Sequence, residues 1–238
     1  MSADRGASGV QVALIALFTT ALVTAQLTAT KVLAFSIPFS LPVVGSELIL
    51  PGASLAYALT FLASDCFSEL YGRRSAHRLV NIGFAMNLVL LVLVWATIAA
   101  PAAASSAVDP GTFAAVLGAS TNVVLGSLLA YLVSQNWDVF VFHRLKEYTD
   151  GRALWLRNIG STATSQAIDT VIFVGIAFYV APELLGIGSA LPPSILLGLG
   201  IGQYLLKLLI ALFDTPVVYA IVGYARSRTT AGSAAGAD

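Results

Sequence analysis

The stretch SQNWDVFVFHRLKEYTDGRALWLRNIGSTATSQAIDTVIF, residues 134–173, is a polar passage between two apolar segments. Each segment carries Ser-Gln-x-x-Asp, once at Ser134–Asp138 and once at Ser165–Asp169, on either side of a charged turn. A carboxylate at mid-membrane costs about 2.5–3.5 kcal/mol on insertion scales, so Asp169 is a functional candidate with a partner to be found. The two flanks run antiparallel, so the first copy of the motif is expected near the cytoplasmic border and the second deeper.

The rest of the chain is as apolar as those flanks. Of its 238 residues 58% are hydrophobic and 10% charged, with a mean hydropathy of +0.87, whereas soluble domains carry about 25% charged residues. The composition is that of an all-α integral membrane protein of the cell membrane, surrounded by lipid. Six stretches qualify as helical spans, near 10–30, 52–71, 78–100, 112–140, 159–181 and 195–223, each close to the roughly 20 apolar residues a span needs. They form one domain over 10–226, between a cytoplasmic tail at 1–9 and a tail at 227–238 expected to be disordered for want of core-forming residues. The first stretch is longer than a signal-peptide core and reads as a retained span. Lys31–Pro51 is too apolar for a solvated loop and is broken by Pro38, Pro42 and Gly45, which predicts a hairpin or a re-entrant cap.

Orientation follows from Lys and Arg, which accumulate in cytoplasmic loops. With the N-terminus inside, Arg5, Arg73, Arg74, Arg78, Arg144, Lys146, Arg152, Arg157, Arg226 and Arg228 all fall on the cytoplasmic side, and the outer turns hold only Lys31. Both termini are then cytoplasmic.

Several chemistries are excluded. Cys66 is the single cysteine, and His77 and His143 stand alone among basic residues, so neither a disulfide framework nor a metal site is expected. No P-loop, nucleophile elbow or HExxH helix occurs, no cofactor is implied, and nucleic-acid binding has no support. The chain does not read as an enzyme.

Helical spacing sorts the polar residues into faces. On the fifth span Ser161, Ser165 and Asp169 line one stripe, with Gln166 and Thr170 beside it; on the sixth, Gln203, Lys207 and Asp214 share a face. At about 1.5 Å per residue, Asp169 and Lys207 each lie roughly 18 Å from opposite ends of their helices and so at similar depth. They form either an ion pair that fixes helix register or the border of a polar cavity, and the neighbouring Gln166, Gln203 and Asp214 favour the cavity. On the second span Asp65 and Glu69 either snorkel to the cytoplasm beside Arg73 and Arg74 or hold a specific partner such as Arg157, since the macrodipole disfavours carboxylates at a helix C-terminus. Asn87, Asn122, Gln135 and Asn158 could be inter-helix hydrogen bonds, and for Asn87 and Asn122 that structural reading is preferred. Ala21, Ala25 and Ala29 form a small-residue stripe, suited to internal packing or to docking a partner subunit.

The segments LTATKVLAF (27–35), PGASLAYALTFLASDCFSELYGRRSAHR (51–78), AYLVSQNWDVFVFHRLKEYT (130–149), LWLRNIGSTATSQAIDTVIFVGIAF (154–178) and GQYLLKLLIALFDTPVVYAIV (202–222) resemble the queuosine-precursor transporters, the VUT or YhhQ family. The resemblance implies six spans and import of a 7-deazaguanine used in tRNA modification; it leaves the energy source open, and a gradient-driven transporter working by itself is the preferred reading. The alternative is the substrate-binding subunit of an energy-coupling-factor complex, with separate ATPase chains. The candidate protein partners are a second copy of the chain or an energising subunit. Such a substrate presents N1–H and 2-amino donors to a carboxylate, an O6 acceptor to Lys, Asn or Gln, and a flat face to an aromatic ring. Asp169, Gln166, Gln135, Asp138, Lys207, Gln203 and Asp214 are the candidate polar contacts, and Trp137, Tyr204 and Tyr57 the candidate stacking rings. Asp65, Glu69, Arg73, Arg157 and Asn158 form the candidate gating or cytoplasmic charge network.

The topology is tested by introducing Ser105→Cys, Ser189→Cys and Asp150→Cys singly into a Cys66→Ser background. An impermeant thiol reagent added to intact cells should label the first two; labelling at 150 from outside would overturn the orientation.

Overall fold

The computed structural model describes residues 9–41, 45–150 and 154–234; the side chains of residues 41, 73, 139, 142, 146, 154–159, 211, 212, 214, 215 and 226–234 lie outside the described set. In chain order the elements are α1 (Gly9–Thr28), β1 (Val32–Leu41), β2 (Gly45–Pro51), α2 (Ser54–Tyr71), α3 (Arg73–Ala99), α4 (Pro110–Gly118), α5 (Ser120–Tyr148), α6 (Leu154–Gly175), a π-helical segment (Ile176–Val180), α7 (Ala181–Leu185) and α8 (Pro193–Ala234). Among the described residues five helical stretches are long and apolar enough to cross a membrane: Gly9–Thr28, Arg74–Ala99, Pro110–Leu145, Gly160–Leu185 and Pro193–Ile210. The second predicted stretch is helical as α2, with Asp65 and Glu69 among its 18 residues, and is not one of those five. α8 is helical to Ala234, so part of the stretch that composition marks as a tail continues the helix, and 235–238 lie outside the described residues.

The chain divides into two compact units, one of residues 1–28, 53–90 and 206–238, the other of 29–52 and 91–205. In the first, Leu14, Phe18 and Leu22 recur every fourth residue along α1 and pack with Ala63, Cys66 and Phe67 of α2, Leu79 of α3, and Val218 and Val222 of α8. A period of four keeps one face of a helix turned to its neighbours. Gly83 admits the closest approach: a Cβ there would stand 2.6 Å from Phe18 Cε1 and 2.8 Å from Leu22 Cδ2. On α3 only Leu79, Gly83 and Asn87 are buried within 79–90, while Ile82, Met86, Leu88 and Val89 are exposed, as expected of a helix with one side on protein and the rest on lipid. Ala21, Ala25 and Ala29 are also buried, so the small-residue stripe is covered by the chain itself.

In the second unit, Lys31–Pro51 forms the predicted hairpin. β1 and β2 pair antiparallel from Val32↔Pro51 to Ser36↔Glu47, the register breaks between Ser36 and Leu41, and Gly52 N–H donates to Lys31 O at 2.6 Å at the base. The break falls on Pro38, which has no N–H to give to a ladder. β2 lies against α8, where Gly198 and Gly202 sit one helical turn apart: a Cβ at Gly198 would be 3.6 Å from Ile49 Cβ, and one at Gly202 would collide with the Ile49 carbonyl.

α4 begins at Pro110 with Asp109 as its cap, the carboxylate accepting from Thr112 N–H at 2.8 Å. α5 and α6 pack against one another, and Gly126 of α5 meets the backbone of the facing helix, since a Cβ there would lie 3.1 Å from both Ala177 N and Phe173 O. The π-helical turn precedes Pro182, which cannot donate to Phe178 O. That carbonyl accepts instead from Leu191 N–H at 2.9 Å, folding the loop after α7 back on the helix end, and Asn122 Nδ2 donates to Ile187 O of the same loop at 2.7 Å.

The hairpin contact predicts that Ile49→Cys with Gly198→Cys, in a Cys66→Ser background, forms a disulfide on mild oxidation, because bridged Cβ atoms stand about 3.5–4.5 Å apart. Gly202→Ala should lower thermal stability, since its obstacle is a backbone carbonyl that no rotamer change relieves. A pair that stays reduced would place β2 elsewhere.

Candidate functional site

The two Ser-Gln-x-x-Asp motifs pair with each other. Ser134 Oγ of α5 lies 3.3 Å from Asp169 Oδ1 of α6, and Ser165 Oγ of α6 lies 3.2 Å from Asp138 Oδ1 of α5. In a helix Ser at i and Asp at i+4 share a face, and reversing the second helix sets each serine opposite the other motif's aspartate. The copies therefore sit at one level, not at the two depths expected from the sequence: antiparallel helices leaving a common turn bring residues equally far from it side by side. The local geometry is duplicated as well. Each hydroxyl, with one proton to give, is also within reach of a carbonyl three residues back, Tyr131 O at 3.4 Å and Thr162 O at 3.1 Å. A carboxylate accepts about four hydrogen bonds, so one serine saturates neither aspartate.

Two of the three aromatic candidates are anchored to the same part of α6. Trp137 Nε1 donates to Thr164 Oγ1 at 3.2 Å, and Tyr204 of α8 has its hydroxyl 3.4 Å from Ala163 O. Thr164 in turn lies 2.8 Å from Gly160 O. Each polar tip is held and each ring thereby oriented, as a stacking platform requires. Tyr57 belongs to the first unit, where it packs edge-on against Phe61 with centroids 5.0 Å apart.

Gln166 and Asp169 are half-buried, Gln135 is exposed, and Gln203 is buried with no partner for its Oε1 among the described residues. Lys207 is buried within the first unit and Asp169 belongs to the second. Asp65 and Glu69 are exposed on α2. The side chains of Arg73, Arg157, Asn158 and Asp214 lie outside the described residues. Asn87 corrects the reading of it as an inter-helix tie: it is fully buried, and neither amide atom has a partner among the described residues. Asn122 does make a tie, to a loop carbonyl rather than to a helix.

Sequence reading passed over Ser134 as a site residue, and Thr164 altogether. The echo of one motif across a turn contains the signal for both, since a motif repeated on two antiparallel helices can face its own copy.

Five long apolar helical stretches among the described residues, two of them holding serine-bonded carboxylates, define a multi-pass membrane protein. The family described as "Putative vitamin uptake transporter" matches residues 51–221, and the chain belongs to that family. A protein of Bacillus subtilis (strain 168) named "Probable queuosine precursor transporter" is 36% identical to it over 168 residues, 70% of this chain and 69% of that protein. No solved structure matches the chain.

The mutual pairing is tested by double-mutant cycles on thermal stability in detergent. Ser134→Ala with Asp169→Asn, and Ser165→Ala with Asp138→Asn, should each show a coupling of about 0.6 kcal/mol, the average for hydrogen bonds between membrane helices. The crossed cycle, Ser134→Ala with Asp138→Asn, should show less.

Proposed function

We propose that the chain imports a 7-deazaguanine precursor of tRNA modification across the cell membrane. Six spans, cytoplasmic termini and gradient drive belong to the same reading. The observation that carries it is the pair of mutually bonded motifs on α5 and α6, within the stretch shared with the transporter family. The 36% identity to the Bacillus subtilis protein, and that protein's name, support the substrate class.

The chemistry fits such a base. Its N–H groups need acceptors, which the half-buried Asp169 and then Asp138 supply; its carbonyl needs a donor, which Gln166 or Gln203 supplies; its face needs a ring, for which Trp137 and Tyr204 are already oriented. A buried acceptor left unpaired is costly, so a site that satisfies N–H donors rejects analogues lacking them by a large factor. Alternating access around a midplane site moves the base across the membrane.

The test is uptake of labelled 7-cyano-7-deazaguanine by the purified chain alone in lipid vesicles, with guanine and adenine as competitors. Uptake should follow an imposed ion gradient and be competed by guanine but not adenine. Asp169→Asn should reduce it at least about tenfold with the protein still folded, as expected when one acceptor becomes a donor. Undiminished uptake in Asp169→Asn would remove that residue from the site, and no uptake by the chain alone would point to separate energising subunits.

A further inference from the structure

The first unit holds buried amide chemistry that the site on α5 and α6 does not use. Asn87 of α3 is 0% exposed and Gln26 of α1 3% exposed; among the described residues Asn87 Oδ1, Asn87 Nδ2 and Gln26 Oε1 have no hydrogen-bond partner. Buried side-chain amides are otherwise bonded in the great majority of cases, and an unpaired group deserves an explanation.

The helical register brings these two residues to one level. The base of the hairpin closes with Gly52 bonded to Lys31, so α2 starts where α1 ends and returns beside it. α3 follows after the single residue Gly72 and therefore starts at the end where α1 starts. It runs parallel to α1, with Leu79 in the cluster of Leu14, Phe18 and Leu22, and Gly83 against Phe18 and Leu22. Asn87 is the next step of the stripe Leu79–Gly83–Asn87, and Gln26 the next step of Leu14–Phe18–Leu22–Gln26. Below them the contact is apolar and tight. At the following turn two amides face the interior and do not satisfy each other.

We infer that Asn87 and Gln26 form a recognition site for a planar ligand with a lactam–amine edge, an acceptor followed by two donors. Asn87 Nδ2 donates to the ring carbonyl, Asn87 Oδ1 accepts from the adjoining ring N–H, and Gln26 Oε1 accepts from the exocyclic amine. This complement of one donor and two acceptors is what a carboxylate, which only accepts, cannot provide by itself. Guanine and 7-deazaguanines present that edge; adenine reverses it, and hypoxanthine lacks the amine. The choice of ligand class rests on the function proposed above, whereas the site rests on the register and the three unpartnered atoms. It is a second station for the ligand, in addition to the aspartates on α5 and α6.

The experiment pairs stability with selectivity, using Asn87→Leu and Gln26→Leu in detergent and in vesicles. Replacing an unpartnered buried amide by an apolar residue of similar size should raise the melting temperature whatever the amide does in function. If the two residues read the edge, Asn87→Leu should bind 7-cyano-7-deazaguanine at least about tenfold more weakly despite its greater stability, the direction expected when a polar site loses its partner for a substrate group. Gln26→Leu should keep binding but lose the preference for guanine over hypoxanthine in competition. Wild-type selectivity retained in both variants would overturn the site and leave the proposed function standing. If the wild type takes up no 7-deazaguanine, the stabilisation of wild type by guanine decides: a thermal shift that vanishes in Asn87→Leu supports the site, and no shift in wild type overturns it.

Discussion

A carboxylate in a helix surrounded by hydrocarbon has to find its hydrogen-bond donors within the protein, because lipid offers none. Asp138 and Asp169 meet this constraint by mutual exchange, each accepting from the serine that begins the other's motif. The arrangement fixes more than two bonds. It sets the register of α5 against α6, since sliding one helix by a turn would separate both serines from both aspartates at once. Gly126, which meets the facing backbone nearer the other end of α5, and Trp137, tied to Thr164, belong to the same register.

Close approach of backbones is the second recurring device. Gly83 lets α3 settle on Phe18 and Leu22, and Gly198 with Gly202 lets a strand lie on α8. In a membrane, helices gain little from burying apolar surface against one another, because lipid is equally apolar; intimate packing and hydrogen bonds carry the association. Glycines therefore recur at the crossings. The same reasoning gives the hairpin its form: an apolar segment near the membrane cannot leave its backbone unpaired, and antiparallel pairing satisfies it from Val32 to Ser36 until Pro38 breaks the ladder.

Among the described residues the buried atoms left without a hydrogen-bond partner all belong to side-chain amides, those of Gln26, Asn87, Asn122 and Gln203, and Asn87 alone has neither amide atom bonded. Hydroxyls inside the helices have partners close at hand, as when Thr60 donates to Tyr57 O at 2.6 Å and Ser120 to Leu117 O at 2.6 Å. Both of those are short hydroxyls that can bond back to their own helix. An amide can also bond back to its helix, as Asn136 Nδ2 does to Leu132 O at 2.6 Å, but Asn87 does not.

The membrane class, the positions of the long helices and the hairpin over Lys31–Pro51 were legible in the sequence, because hydropathy, span length and Pro/Gly punctuation are local properties of the chain. Asp169, Asp138, Trp137 and Tyr204 were also legible as polar or amphipathic residues in apolar helices, where each is costly enough to be noticed singly. The partners were not. That Ser134 bonds Asp169 depends on how two helices are set against each other, and stripe spacing on one helix carries no information about the level of its neighbour. Asn87 looked like an ordinary inter-helix tie because its identity is local, whereas the lack of a partner for it among the described residues is a property of everything packed around it. The sequence by itself determined which residues are too polar for their surroundings; tertiary structure decided which of them satisfy one another, because hydrogen bonding depends on distances across helices that no periodicity along a single helix encodes.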